Sequence, residues 1–100
     1  MYEMLVAMEI HNSEQYAKYR EAMKPILRQY GGGFSNDFHI AETLLTEGQC
    51  QANRLFTIYF PDQASMESFF SDSEYVEIKA RYFEDSVSGF DILASYIKRG

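Results

Sequence analysis

Arg54-Leu55-Phe56-Thr57-Ile58-Tyr59-Phe60-Pro61-Asp62 is the stretch from which the fold is read. Leu55 to Phe60 is a run of aliphatic, β-branched and aromatic residues that favour a pleated, half-buried backbone. Pro61 stops the strand, and Asp62 offers a carboxylate to cap a helix. A strand over Arg54–Phe60 therefore hands over directly to a helix across residues 62–83. Met66, Phe69 and Phe70, then Tyr75, Val76, Ala80 and Phe83, form its buried side. Ser71-Asp72-Ser73 interrupts it, and Ser71 with Glu74 reads as a capping box that restarts the helix. A last strand follows over residues 89–97, with Phe90, Ile92, Ala94 and Tyr96 on one face.

Before Arg54, residues 46–53 form a polar loop. A second strand precedes the loop, over residues 34–45. Phe34, Phe38, Ile40 and Leu44 share one parity there, and Asp37, His39, Ala41 and Thr43 the other. Gly31-Gly32-Gly33 ends a helix over residues 12–30, and one of these glycines is expected to be left-handed. Asn12 or Ser13 caps that helix, and Tyr16, Tyr19, Met23, Ile26, Leu27 and Tyr30 make its core stripe. Pro25, inside the pattern, costs ~3 kcal/mol in a helix interior, so a kink near residues 22–24 or a split into two helices is expected. The first strand, Tyr2–Ile10, has one apolar face (Tyr2, Met4, Val6, Met8, Ile10) and one mixed face (Glu3, Leu5, Ala7, Glu9).

The order strand, helix, strand, strand, helix, strand fills residues 1–100 as one domain, a split βαβ pair with all helices on one face of one sheet. The opposite face is left open. Leu5 and Ala7 are directed to it, with either Phe56 and Ile58 or Thr57 and Tyr59, and burying such a face predicts a homodimer.

Fifteen carboxylates stand against nine Lys and Arg, giving a net charge of −6. Nucleic acid and anionic membrane surfaces are poor partners for such a chain. No apolar run reaches the ~20 residues that span a bilayer. Met1-Tyr2-Glu3-Met4 does not open like a signal peptide. Cys50 is the single cysteine and has no internal disulfide partner. A cytoplasmic location is the expectation.

Tyr16-x-x-Tyr19, Pro25, Tyr30-Gly31-Gly32, Phe60-Pro61-Asp62 and Ser73-Glu74-Tyr75 together resemble the small bacterial proteins of domain-of-unknown-function family 1330. The likeness runs from about Tyr2 to Ile97. It implies an α+β, ferredoxin-like βαββαβ fold, a four-stranded antiparallel sheet with helices on one face, paired into a dimeric α/β barrel. The wider superfamily implied by this resemblance includes cofactor-free monooxygenases, isomerases, haem-handling enzymes and ligand-sensing domains.

Polar residues on strands are the site candidates: Glu9, Asp37, His39 and Tyr59. The first and third strands are read as parallel central neighbours. That reading places Glu9 and Tyr59 at one edge of the sheet, with Asp37 and His39 of the second strand beside them. A carboxylate, an imidazole and a phenol in one cleft can bind or deprotonate a small molecule. The plainer alternative sets these residues at a dimer seam or in solvent. His11 and His39 are the only histidines and show no metal-ligand spacing, and no tryptophan is present, so neither a metal nor haem or another cofactor is expected. Cys50 has no basic neighbour to activate it. Two functions follow: a non-catalytic small-molecule binder or accessory protein, or a cofactor-free oxygenase or isomerase acting on a small aromatic or oxo-acid compound.

Overall fold

A computed structural model describes residues 1–99. Its elements are β1 (Tyr2–Ile10), α1 (Ser13–Gln29), β2 (Gly33–His39), β3 (Arg54–Phe60), α2 (Gln63–Ser71), α3 (Ser73–Ile78), a wide π turn (Lys79–Phe83) and β4 (Val87–Ile97). The sheet order is β2-β3-β1-β4, and every neighbouring pair is antiparallel. The fold is α+β and ferredoxin-like.

Local chemistry sets the ends of the elements. Asn12 caps α1 by accepting from the Gln15 amide at 3.1 Å, and Asp62 caps α2 by accepting from Ser65 at 2.7 Å. Gly31, at φ 75°, closes α1, as the Gly31 and Gly32 amides donate to the Arg28 and Leu27 carbonyls. Two expectations change. α3 restarts on Asp72, whose carboxylate accepts from the Glu74 and Tyr75 amides; the Ser71 hydroxyl instead donates back to Glu67 within α2. α1 also runs unbroken through Pro25. Pro25 and Glu21, whose carbonyl loses its amide partner, both lie on the exposed side, where water can take over the missing hydrogen bond.

The core lies between the sheet and the helices. Met4, Val6, Met8, Phe56, Ile58 and Phe60 face Tyr16, Tyr19, Met23, Ile26, Leu27, Phe69, Tyr75 and Phe83 across it. Strand pairing settles the open face: Glu3, Leu5 and Ala7 stand opposite Tyr59, Thr57 and Leu55. Thr57 and Tyr59, not Phe56 and Ile58, are therefore on that side.

The second strand stops at His39, short of the expected residue 45. Its last rung is the Ile40 amide on the Asn53 carbonyl, at 2.9 Å. β3 begins at Arg54; the Asn53 amide still donates to the Met8 carbonyl at 2.9 Å, but residues 41–52 have no strand beside them. That loop is pinned from the sheet instead. Glu9 accepts from the Gln51 amide at 2.9 Å, and Asn53 exchanges two hydrogen bonds with the Ile10 backbone.

Candidate functional site

The four strand residues singled out in the sequence do not share one cleft. β1 and β3 are antiparallel, because β1 and β2 run the same way and β3 returns between them. Glu9 therefore lies at the Arg54 end of β3, while Tyr59 pairs with Glu3 at the other end. A bulge at Ser35 then reverses parity in β2. Beyond it Asp37 and His39 stand opposite Phe56 and Arg54, on the helix side, whereas Glu9 and Tyr59 are on the open side. Asp37 and His39 stay together, and the other two are separated from them and from each other. His39 is exposed. Tyr59 lies over Gly33, where a Cβ would meet its hydroxyl, so the glycine makes room for the ring.

A cavity of about 470 Å³ lies between the helices and the sheet. Methionines Met4, Met8, Met23 and Met66 and several aromatic rings make most of its wall. Met adapts to irregular space, so such a wall accepts apolar bodies of varied shape. Phe70, Phe90 and Ile92 line it and are also exposed, which places its mouth between α2 and β4.

The polar groups on this wall come from one face of α1 and from the segment after Asp72. Spacing of three and four residues sets Tyr16, Tyr19, Arg20 and Met23 side by side. The Asp72 cap fixes where α3 starts and so where Tyr75 stands. The Tyr19 and Tyr75 hydroxyls meet at 2.8 Å in buried surroundings. Burial pushes both phenols above their ordinary pKa, Tyr19 well above, so both remain protonated. The π turn brings Lys79 to the same wall as Phe83.

Arg20 joins the cavity to Asp37. Its guanidinium lies 3.9 Å from the ring centre of Phe34 and 4.7 Å from that of Phe56. Nε donates to the Tyr16 hydroxyl at 2.8 Å and Nη1 to Asp37 at 3.1 Å. Arg54 donates to both Asp37 oxygens, at 2.7 and 2.8 Å. The Arg54 hydrogen bond, with the positive charges of Arg20 and Arg54, outweighs burial and holds the Asp37 carboxyl below its ordinary pKa. Sequence reading missed Arg20, although a signal was present. Tyr16-x-x-x-Arg20 places a cation within an otherwise apolar helix stripe.

The open face carries its own polar network. Glu3 is only 4% exposed and accepts from Ser35, from Tyr96 at 2.5 Å and from Lys98 at 3.5 Å, while Ser35 and Asn36 both bond Thr57. Burial alone would raise the Glu3 pKa, but these hydrogen bonds prevail and lower it. Cys50 is a quiet thiol. Burial and the Asp91 carboxylate push its pKa up to about 11. Among the described residues, no three His, Cys, Asp or Glu side chains are grouped to hold a metal, and no helix is long and apolar enough to cross a membrane.

Sheet, one-sided helices and the cavity between them define the class: a ferredoxin-like α+β protein with a helix–sheet pocket. The chain belongs to the family described as a domain of unknown function, DUF1330, whose model matches residues 2–90. Among solved structures it is similar to a protein of unknown function from Rhodopseudomonas palustris. That match has a TM-score of 0.81 and 16% identity, covering 99% of this chain and 82% of the other. A cofactor-independent oxygenase from Streptomyces nogalater, SnoaB, matches with a TM-score of 0.63 and 9% identity over 99% of this chain and 93% of its own. A dimeric ferredoxin-like protein of unknown function from Jannaschia matches with a TM-score of 0.56 and 14% identity, over 97% and 98%. These likenesses show a shared fold. No curated protein matches the chain.

Proposed function

We propose that this protein is a cytoplasmic homodimer that binds one small, mostly apolar molecule per subunit between helices and sheet, as a carrier or accessory protein without chemistry of its own. The observation that carries the reading is the cavity itself, about 470 Å³ with an apolar wall and a few convergent polar groups. The test uses uncharged phenylnaphthylamine, followed by calorimetry. One molecule should bind per chain, and Val6→Phe, which grows a ring into the cavity, should abolish binding with the far-ultraviolet circular dichroism unchanged. Binding that persists in Val6→Phe would place the probe elsewhere and defeat the reading.

The dimer rests on the open face. Phe38 is 55% exposed there, beside half-buried Leu55, and half-buried Leu5 adds to the apolar surface. The similarity to a protein described as dimeric supports it. On this reading Glu9 and Tyr59 lie at the seam between subunits, while Asp37 serves the ligand by holding Arg20 and His39 stands at the outer margin. Light scattering at micromolar concentration should give twice 11.6 kDa. Phe38→Asp, which sets a charge in the seam, should shift the population to monomer; a dimer unmoved by it would place the interface elsewhere.

The Tyr19–Tyr75 pair favours a second reading, a cofactor-free oxygenase or isomerase acting on a small aromatic or oxo-acid compound. Two protonated phenols bonded to each other leave one hydroxyl proton to donate to a carbonyl or enolate oxygen. Dioxygen uptake or isomerisation of such a compound by metal-free protein distinguishes enzyme from binder.

A further inference from the structure

We infer that the cavity selects an anionic ligand: an apolar body bearing one carboxylate, enolate or sulfonate group, received by Arg20 with Lys79 as a second cation. The inference rests on the cavity being a binding site, as proposed above, and names the class of molecule it takes.

The charges on the wall are one-sided. Arg20 and Lys79 line the cavity and no Asp or Glu does, although the chain holds fifteen carboxylates and nine Lys and Arg. A cation is repelled by that arrangement and a neutral ligand gains little, whereas an anion held against an apolar wall beside a buried guanidinium gains more than it would in bulk water. Arg20 is 7% exposed, and its Nη2 has no hydrogen-bond partner among the described residues. Buried donors are rarely left unmade, because the lost solvation is not returned. An anion entering the cavity supplies the missing acceptor.

Asp37 does not cancel this charge. It faces two arginines at once, giving both oxygens to Arg54 and one of them also to Arg20. One carboxylate against two guanidiniums leaves one positive charge over. The rings of Phe34 and Phe56 hold the Arg20 plane in place, so little side-chain freedom is lost when the anion arrives. Tyr19 and Tyr75 stay protonated; one hydroxyl donates to the other, which leaves one proton for a ligand and no competing negative charge.

The test compares two probes of nearly the same body, anilinonaphthalene sulfonate and its uncharged parent phenylnaphthylamine, by calorimetry at fixed ionic strength. The sulfonate should bind wild-type protein at least about tenfold tighter than the parent, the scale of one hydrogen bond to a charged group. Lys79→Met and Arg20→Lys should each shrink that preference, read as the ratio of the two probes' affinities in the same variant. Should Arg20→Lys fail to fold, the wild-type preference and Lys79→Met still decide. A solvent-open groove outside the cavity carries Lys24 and Arg28 beside Arg20 and Arg54, and it serves as the control. A sulfonate preference lost in Lys24→Gln/Arg28→Gln but kept in Lys79→Met puts the anion outside and overturns the inference. Equal affinity for the two probes also overturns it and leaves the cavity reading standing. Failure of both probes to bind removes the cavity reading and this inference together.

Discussion

Phe69→Ala is expected to cost about 3–5 kcal/mol of folding stability, the range for a buried aromatic cut to a methyl group. Phe69 is 0% exposed and is the ring on which α2 and α3 close over the sheet. Its centroid lies 4.4 Å from Tyr75, 5.0 Å from Phe70, 5.7 Å from Phe60 and 6.2 Å from Tyr30. Four ring contacts cannot be refilled by relaxation, since the neighbours belong to four different segments. A domain of this size holds roughly 5–15 kcal/mol in total, so the variant should sit near the edge of folding. Urea denaturation followed by circular dichroism measures the loss, and Phe69→Leu should recover a good part of it. A loss under about 1 kcal/mol in Phe69→Ala would mean that the helices are held to the sheet by other contacts.

The fold was legible because its signals are local. Pro61-Asp62 ends β3 and caps α2 whatever surrounds them, and Gly31 takes the left-handed turn that stops α1. The site was legible only in fragments. Parity along β2 depends on one bulged residue, Ser35, whose hydroxyl answers to Glu3 and Thr57 on two other strands. Nothing beside Ser35 in sequence announces those partners. A second bulge in β4, between the Ile92 and Ala94 pairings, likewise breaks the expected run of Phe90, Ile92, Ala94 and Tyr96. The first two are on the helix side and the last two on the open side. Strand direction was within reach, since a helix crossover makes β1 and β2 run alike and the return through β3 must oppose both. Tyr19 and Tyr75 were read as core, which they are. What marks them out is a hydroxyl pair at 2.8 Å across fifty-six residues of chain, a fact of packing alone.

Asp37→Asn is expected to destabilise the fold by about 2 kcal/mol at neutral pH, and the effect should fade in acid. Removing one partner of a buried ion pair costs about 3–5 kcal/mol, but the Asp37 side chain is 33% exposed, so solvent screening reduces the figure. The variant leaves Arg20, whose side chain is 9% exposed, and Arg54 facing each other without a counter-charge. The sign of the pH dependence follows from the lowered pKa. Folded Asp37 binds its proton less readily than the unfolded chain does, so folding is favoured wherever the unfolded carboxylate is ionised, above about pH 4. That contribution disappears as pH falls through the folded pKa. Glu3, Asp62 and Asp72 also have lowered pKa values, but they titrate in both proteins and cancel in the difference. The gap between wild type and Asp37→Asn in urea midpoint should therefore be widest near neutrality and narrow steadily below about pH 4. Stability curves that stay parallel across that range would show that Asp37 acts through shape and not charge.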